Sequence, residues 1–436
     1  MSENRCRRTT VRSLVALGAA TLIVPLAAVP ASAKEGLLPQ DLLSADRIGL
    51  IDDTGALRID EQETDRTDGA SIRNAPRDAL TGMAVFPEQP LAESTDLVEV
   101  SPHVAGSEED LLTEVRGLRA DGMWTEWHTA TAGESGRVTF PEHVSGVQVR
   151  VELRSAEAAL EELDVRPLEP VTGPVATDNG EHGLDLASDL DEPFSARLFA
   201  TRIGLVGETT ANGHVVRPDD HFAALPSRRG LANRGGGEYT VRVCSTGEFG
   251  PNAEGDTDTH QERCVYLPVW DVGPWNITDD HWNDARESWR DLDRGRPQAQ
   301  AAYAEGHNGG VDGFGRKVLN PAGIDLADGA FHHGLQMPTN GWVRVDYLWT
   351  GQYRGRAEII TENRTEPVVV RGGPGPEYDT VGLAAAQANV DVACRTHGDE
   401  ASGPFGTSDV WYRIGEGHYV PSAFADGGAG APDCEE

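Results

Sequence analysis

Lysine is almost absent from this chain of 436 residues, which has 37 basic residues against 71 acidic ones. Only Lys34 and Lys317 are lysines, and the remaining basic residues are arginines, a composition typical of a GC-rich coding sequence. The formal net charge of −34 repels the phosphates of nucleic acids and the anionic surface of membranes. We therefore expect neither nucleic acid nor membrane as a partner, and the strong charge makes a monomer the simplest expectation.

Long hydrophobic runs are also scarce. Beyond the N-terminal segment, no stretch approaches the roughly 18 apolar residues of a membrane span. The exception is the run "LVALGAATLIVPLAAV" at 14–29, which follows four arginines and precedes the small residues "ASA" at 31–33. These are the three parts of a secretory signal peptide. We expect a signal peptide over 1–33, cleavage after Ala33, and a secreted, extracellular protein.

Cysteine is scarce, and four of the five cysteines lie beyond the predicted signal peptide: Cys244, Cys264, Cys394 and Cys434. An even number in an oxidising compartment favours disulfide bonds over metal ligation. Their proximity in sequence suggests two pairs, Cys244 with Cys264 and Cys394 with Cys434. Each of two domains would then have one disulfide.

Patterns for cofactors and for nucleophilic catalysis are absent as well. The glycines form no strand-G-x-G-x-x-G motif for a nucleotide, and no nucleophile elbow is present. Adjacent His332 and His333 on a strand would point to opposite sides and could not easily share a metal ion. We expect no cofactor and no metal.

Short alternating strands dominate what is present, and they predict a mainly β protein. Residues 40–155, with runs such as "GVQVRVELRS", fit a β-sandwich-like domain, and 156–194, rich in Pro, Gly and Asp, fit an acidic linker. Trp124 and Trp127 could stack on a sugar ring, or pack in the core as tryptophan pairs in small sandwiches more often do.

Three motifs at residues 195–352 together resemble a double-psi β-barrel of the RlpA, expansin and barwin-like group. They are a T-A-x-G turn, a strand ending in D-x-G-P, and an I-D-L segment followed by Ala-Phe. Their residues are Thr210, Ala211 and Gly213; Asp271, Gly273 and Pro274; and Asp325, Leu326, Ala330 and Phe331.

The C-terminal segment 365–436 resembles a bacterial SH3-type (SH3b) domain. The resemblance is carried by "VVVRGGPGPEYDTVG" at 368–382 and by the later "SDVWYRIGEGHYVPSAF". Physically, a strand is followed by the Gly/Pro turns that bend a small barrel, and Trp411 with Tyr419 would close the core. The family implies binding to the bacterial cell wall, typically to the peptide part of peptidoglycan, although some such domains only pack against their neighbours.

Asp271 and Asp325 are the candidate catalytic acids, because each follows an apolar strand and precedes small or turn residues. A carboxyl group at such a strand end can protonate a glycosidic oxygen while a second carboxylate assists. The resemblance implies a lytic transglycosylase, for which one acid/base suffices, or a glycoside hydrolase; expansin-like members loosen polysaccharide without hydrolysing it. The alternative is structural, since aspartates beside Gly-Pro turns often accept backbone N–H bonds.

Several companions of this acid pair differ from the family pattern. His214 and Arg217 stand where acidic residues are typical, Leu225 replaces a histidine, and Val272 replaces an arginine. His221, which follows two aspartates, could supply a substitute proton donor because a neighbouring carboxylate tunes a histidine. The alternative is that "RPDDHF" is a solvated turn.

The segment 283–318 is a long insertion between the two acid motifs. Helical spacing from Asp284 to Glu305 predicts a helix, followed by a Gly-rich loop. The insertion could cap the cleft like a lid or be a helix without a role there.

The sequence as a whole predicts a secreted, cell-wall-associated protein that binds peptidoglycan or a related polysaccharide and whose catalysis is left open. The alternative is a non-catalytic carbohydrate-binding or expansin-like protein.

Overall fold

The computed structural model describes residues 36–60, 81–130, 136–169, 192–255 and 257–435, so the predicted signal peptide at 1–33 lies outside the described residues. The described chain is mainly β, as predicted. Its only α-helix of more than one turn is α1, Gln298–Glu305. Among the described residues, no helix combines the length and the apolar character needed to cross a membrane.

The first ten strands form one hydrogen-bonded sheet, with the order β2-β5-β9-β6-β10-β4-β3, β1 beside β10, and β7 beside β8 and β9. Two strands of 17 residues, β6 and β9, run through its centre and pack a valine-rich core. The strands are Leu38–Pro39 (β1), Asp46–Ile48 (β2), Leu50–Asp53 (β3), Ala56–Ile59 (β4), Gly82–Val85 (β5), Gln89–Ala105 (β6), Leu111–Leu118 (β7), His128–Thr129 (β8), Arg137–Leu153 (β9) and Ala159–Pro167 (β10).

Strand β10 lies within the segment assigned to the linker from sequence. It pairs with β6, β4 and β1, and Leu160, Leu163 and Val165 are buried. Acidic residues on its solvent-facing side obscure the apolar alternation in the sequence. The ordered sheet therefore extends about a dozen residues past 155, and most of the remaining predicted linker, 170–191, lies outside the described residues.

The next six strands close into a barrel, because β12 pairs with β14 in addition to the linear order β12-β15-β11-β16-β13-β14. Two of the pairs of adjacent strands are parallel, β11 with β15 and β12 with β14. The other pairs are antiparallel. The strands are Ser195–Arg202 (β11), Ala223–Leu225 (β12), Thr240–Phe249 (β13), Cys264–Val272 (β14), Ala322–Leu326 (β15) and Gly341–Tyr347 (β16).

The insertion contains less helix than the helical spacing of its residues from Asp284 to Glu305 predicts. Helix α1 begins after Pro297, and the chain from residue 284 to that proline forms turns. Proline favours a helix start because its fixed φ suits the first turn, but it disrupts a helix interior. The prediction of one helix from Asp284 to Glu305 is therefore wrong for its first half. Shorter helical turns lie at Leu42–Ser44, Glu108–Asp110, Arg228–Gly230, His307–Gly310, Ala330–Gly334, Leu348–Thr350 and Ser422–Phe424.

The C-terminal strands are continuous with the barrel sheet. Strand β19 runs parallel to β14, and β18, β23, β22 and β21 follow in order, while β17, β20 and β24 form a separate small sheet. The strands are Arg356–Ile359 (β17), Val368–Arg371 (β18), Thr380–Ala384 (β19), Asn389–Asp391 (β20), Cys394–Gly403 (β21), Gly406–Gly415 (β22), His418–Pro421 (β23) and Ala425–Gly427 (β24). One apolar core spans the barrel and these strands.

Both predicted disulfides are present. Cys244 and Cys264 are opposite residues of β13 and β14, and their sulfurs are bonded. Cys394, at the start of β21, is bonded to Cys434 near the C-terminus. One bridge therefore lies in the barrel and the other fastens the end of the chain to the C-terminal strands.

Buried side chains of Arg116 and Trp127 connect the first sheet to the barrel. Arg116 donates to Gln148 of its own sheet and, over 2.7 Å, to Glu238 of the barrel. The Trp127 indole donates to the carbonyl of Leu231 at 3.0 Å. These buried hydrogen bonds fix the first sheet against the barrel.

Candidate functional site

The two predicted acids, Asp271 and Asp325, lie on the two strands that flank β12, and both are paired with the same residue of β12. Ala224 in β12 pairs with Asp271 in β14 and with Asp325 in β15. Residues opposite one another on adjacent strands face the same side of a sheet, so both carboxylates are on the face that carries the Ala224 side chain. Two strand spacings of about 4.8 Å each separate their backbones.

Both acids line one open cleft with a volume of about 300 Å³. Thr201, Trp275 and Arg316 contribute to the same cleft. Arg316 belongs to the Gly-rich loop of the insertion, so the insertion supplies part of the cleft wall.

Asp271 and Asp325 differ in their surroundings. Asp271 is only 3% exposed, and one carboxylate oxygen accepts the backbone N–H of Ala211 at 2.8 Å. Ala211 is part of the T-A-x-G turn, so Asp271 holds that turn against β14. Asp325 is half-buried and accepts the hydroxyl of Thr201 on the neighbouring strand. The more accessible carboxylate is therefore that of Asp325.

Trp275 is a cleft residue that sequence reasoning did not select. It follows the turn at Gly273 and Pro274 and has φ +65°, a left-handed conformation that is uncommon for a bulky side chain. Its indole donates to Asn320 at 3.1 Å, and its carbonyl accepts from Arg316 at 2.6 Å. The side chain is half-buried, so these contacts hold a partly exposed indole at the cleft.

His221, the third predicted catalytic residue, does not line this cleft. It lies two residues before β12, is 6% exposed, and lines a different cavity. Burial, with a smaller contribution from His333, lowers the pKa of His221 to about 4. The structure thus brings Asp271 and Asp325 together and places His221 in a separate cavity.

The carboxylate next to His221 is paired with a different histidine. Asp220 accepts the backbone N–H of Arg217 at 2.7 Å and lies 2.6 Å from the His214 ring. His214 in turn packs on Trp270 at 4.7 Å between ring centroids. The expected Asp-His neighbour therefore exists between Asp220 and His214, a pairing across a loop that no local sequence pattern indicates.

The two tryptophans considered for sugar binding have different environments. Trp127 is fully buried, with the guanidinium groups of Arg116 and Arg150 on its ring, so it is a core residue. Trp124 is half-buried and lines a cavity of about 560 Å³ between the first sheet, the barrel and the insertion. Glu126 lines the same cavity, and burial raises the pKa of its carboxyl group.

Residues able to hold a metal ion come together at one place in the described chain, Cys244, Cys264 and Glu262. Both cysteine sulfurs are committed to their disulfide bond. This group therefore does not offer thiolate ligands in the oxidised protein.

The fold and cleft define a closed six-stranded β-barrel with two carboxylates on one face. A family model described as "Domain of unknown function (DUF8814)" matches residues 194–346. This range contains strands β11 to β15, the insertion, and all of β16 except its last residue, Tyr347. Comparisons with curated proteins and with solved structures found no match.

Proposed function

We propose that this protein is secreted and associated with the cell wall, and that its barrel cleft binds peptidoglycan or a related polysaccharide. The observation that carries the proposal is the placement of Asp271 and Asp325 on either side of Ala224, in one open cleft beside Trp275. Aromatic faces with a few fixed polar groups suit the alternating apolar and hydroxyl surfaces of a sugar chain.

The double-psi assignment of the barrel is part of this proposal. It is supported by six strands closed with two parallel pairs, and by the hydrogen bond from Ala211 in the T-A-x-G turn to Asp271 in the D-x-G-P motif. Two motifs from distant parts of the sequence are therefore in contact, which supports the resemblance.

If the cleft is catalytic, Asp325 is the acid. It is the more accessible carboxylate, and the Thr201 hydroxyl orients it. Asp271 then positions the T-A-x-G turn and contributes negative charge beside a developing oxocarbenium ion.

The alternative function is binding without cleavage, as in expansin-like proteins. It is favoured by the hydrogen bond that commits Asp271 to Ala211 and by the burial of that carboxylate. In this case Trp275 and both acids bind the polysaccharide without cleaving it.

The C-terminal strands are proposed to be an SH3-type module that contacts the wall peptide. Supporting observations are the Gly/Pro-rich turn after β18 and a cavity of about 740 Å³. Trp411, Phe424, Val369 and Arg371 line that cavity.

The test is incubation of the purified protein with cell-wall sacculi, cellulose and chitin, followed by mass spectrometry of the released products. Anhydro-muropeptides that disappear in Asp325→Asn establish transglycosylase action, and new reducing ends establish hydrolysis. Asp328→Asn is the matched control, because Asp328 is near in sequence but pairs with Arg202 and does not line the cleft. Retention on sacculi without release, weakened by Trp275→Ala, supports the binding alternative. Absence of both retention and release on every polymer overturns the proposal.

A further inference from the structure

A separate cavity, here called the His221 cavity, lies where the barrel meets the C-terminal segment and has a volume of about 180 Å³. It shares no lining residue with the Asp271 and Asp325 cleft. Its walls are His214, Arg217, Asp220, His221, Gly235, Trp270, residues 363–365 and residues 385–387.

His221 is the unusual group in this cavity. Its side chain is more than nine-tenths buried, and neither ring nitrogen has a hydrogen-bond partner of good geometry among the described residues, although the backbone of Asp219 lies close to the ring. A neutral imidazole carries one N–H donor and one acceptor, and burying both without partners costs free energy. Such a group is expected where a ligand or water completes the hydrogen bonds.

Two arginines line the same cavity and are exposed. Neither the Arg217 nor the Arg364 guanidinium lies within 4.0 Å of a carboxylate in the described parts of the chain, although acidic residues outnumber basic ones almost twofold. Arg364 lies in the loop before β18, and Arg217 lies in the loop before β12. Two chain segments distant in sequence therefore bring unpaired positive charge to one place.

The formal charge of the lining favours a monoanion. Arg217 and Arg364 contribute two positive charges and Asp220 one negative charge, while burial keeps His221 neutral near neutral pH by lowering its pKa to about 4. The remaining single positive charge balances one carboxylate better than a phosphate dianion. Guanidinium groups and an imidazole N–H are all donors suited to carboxylate oxygens.

We propose that the His221 cavity binds a carboxylate, either a free monocarboxylate or the C-terminal carboxylate of a peptide. Arg217 and Arg364 neutralise its charge, and the His221 ring donates a hydrogen bond to it. This site goes beyond the proposed polysaccharide function and does not depend on it, because the two cavities are lined by different residues.

The first experiment titrates the full chain, with isotope-labelled histidine, with sodium acetate at constant ionic strength and follows the imidazole signals by NMR. The His221 signal is assigned with His221→Gln. We expect saturable shifts of His221 with acetate and none with acetamide, which has the same shape without the charge. Arg364→Gln and Arg217→Gln should each weaken acetate binding about tenfold, the loss of one charge-assisted contact.

Arg356→Gln is the matched control, because Arg356 is an exposed arginine outside the cavity, and it should leave acetate binding unchanged. Acetylated Ala-Ala and its C-terminal amide distinguish the two sources of carboxylate. Tighter binding of the acid than of acetate identifies a peptide end, and equal affinity identifies a free monocarboxylate. Unshifted His221 signals at saturating acetate, equal effects of acetamide, or tighter binding of phosphate would overturn the proposal. Asp325→Asn should bind acetate normally, which separates this result from that of the polysaccharide test.

Discussion

Gly382 in β19 lies directly against the carbonyl oxygen of Cys264 in β14, and a methyl group added at Gly382 would be 1.7 Å from that oxygen. The two residues are register partners in the parallel pair that joins the C-terminal strands to the barrel. Tyr266, two residues further along β14, adds a hydrogen bond of 2.7 Å to His418. The junction is thus a close backbone contact supported by a side-chain contact.

We expect Gly382→Ala to destabilise the protein by about 2–4 kcal/mol, because a backbone atom cannot yield as a flexible side chain can. Urea unfolding followed by circular dichroism measures the change. Gly372→Ala is the control, since the nearest atom to its added methyl group would be at 3.6 Å. Equal midpoints for the two variants would contradict the proposed role of this contact.

The two disulfides should contribute unequally to stability. They span 20 and 40 residues, and loop-closure entropy assigns about 3 kcal/mol to the shorter loop and about 4 kcal/mol to the longer one. Double Cys→Ser variants of each pair, compared by urea unfolding, check the order. Hydrogen exchange should show that loss of the Cys394 to Cys434 bridge loosens the C-terminal residues while leaving β13 and β14 protected; loosening of the barrel instead would refute this division.

Glu126 should be important for stability at the junction of the first sheet, the barrel and the insertion. Its carboxylate accepts the indole N–H groups of Trp282 at 2.5 Å and Trp349 at 2.9 Å, and the Asn283 amide at 2.7 Å. Glu126→Ala leaves these donors without their acceptor, and we expect a loss of about 2–4 kcal/mol, with a smaller loss for Glu126→Gln. Glu142→Ala, which removes a half-exposed partner of Arg119, should cost less than about 1 kcal/mol. Thermal unfolding compares the three variants.

Stability should fall in mild acid because partial or full burial holds several histidines neutral. Burial lowers the pKa of His128, His221 and His418 to about 4 and that of His281 to about 3. The unfolded chain binds these protons near pH 6.5, whereas the folded chain does not, so the free energy of unfolding decreases as pH falls from about 6.5 toward 4.

Asp279 opposes this trend, because burial raises its pKa to about 6 and the folded state then binds its proton more readily than the unfolded state. A single-histidine variant isolates the main effect. Between pH 7 and 5, His418→Gln should lose less stability than the unmodified protein by up to about 2 kcal/mol. Parallel pH profiles for the two proteins would disprove the assignment.

The sequence predicted features that depend on nearby residues. The apolar run before Asp271 became strand β14, and cysteines that were close in sequence became bonded pairs. The resemblance to the double-psi group implied an acid pair at Asp271 and Asp325, and both residues line one cleft.

Features that depend on distant segments were not predictable in this way. Trp127 and Trp124 occupy similar sequence contexts, but only the former is covered by the barrel. His221 follows two aspartates in sequence, yet the fold directs Asp220 to His214 and leaves His221 against residues from the C-terminal segment. Arg316 reaches the cleft from a loop whose path is set by contacts with Asp312 and Trp275.

The continuity of β14 with β19 has a consequence for avidity. Modules joined by a flexible linker gain from a range of spacings between their ligands, since the linker adapts. Here the cleft beside Asp325 and the cavity beside Trp411 belong to one hydrogen-bonded sheet, so the span between their ligands is fixed by the protein. Under the proposed function, simultaneous occupancy of both sites would therefore select targets by the distance between two ligand groups rather than by the local density of those groups.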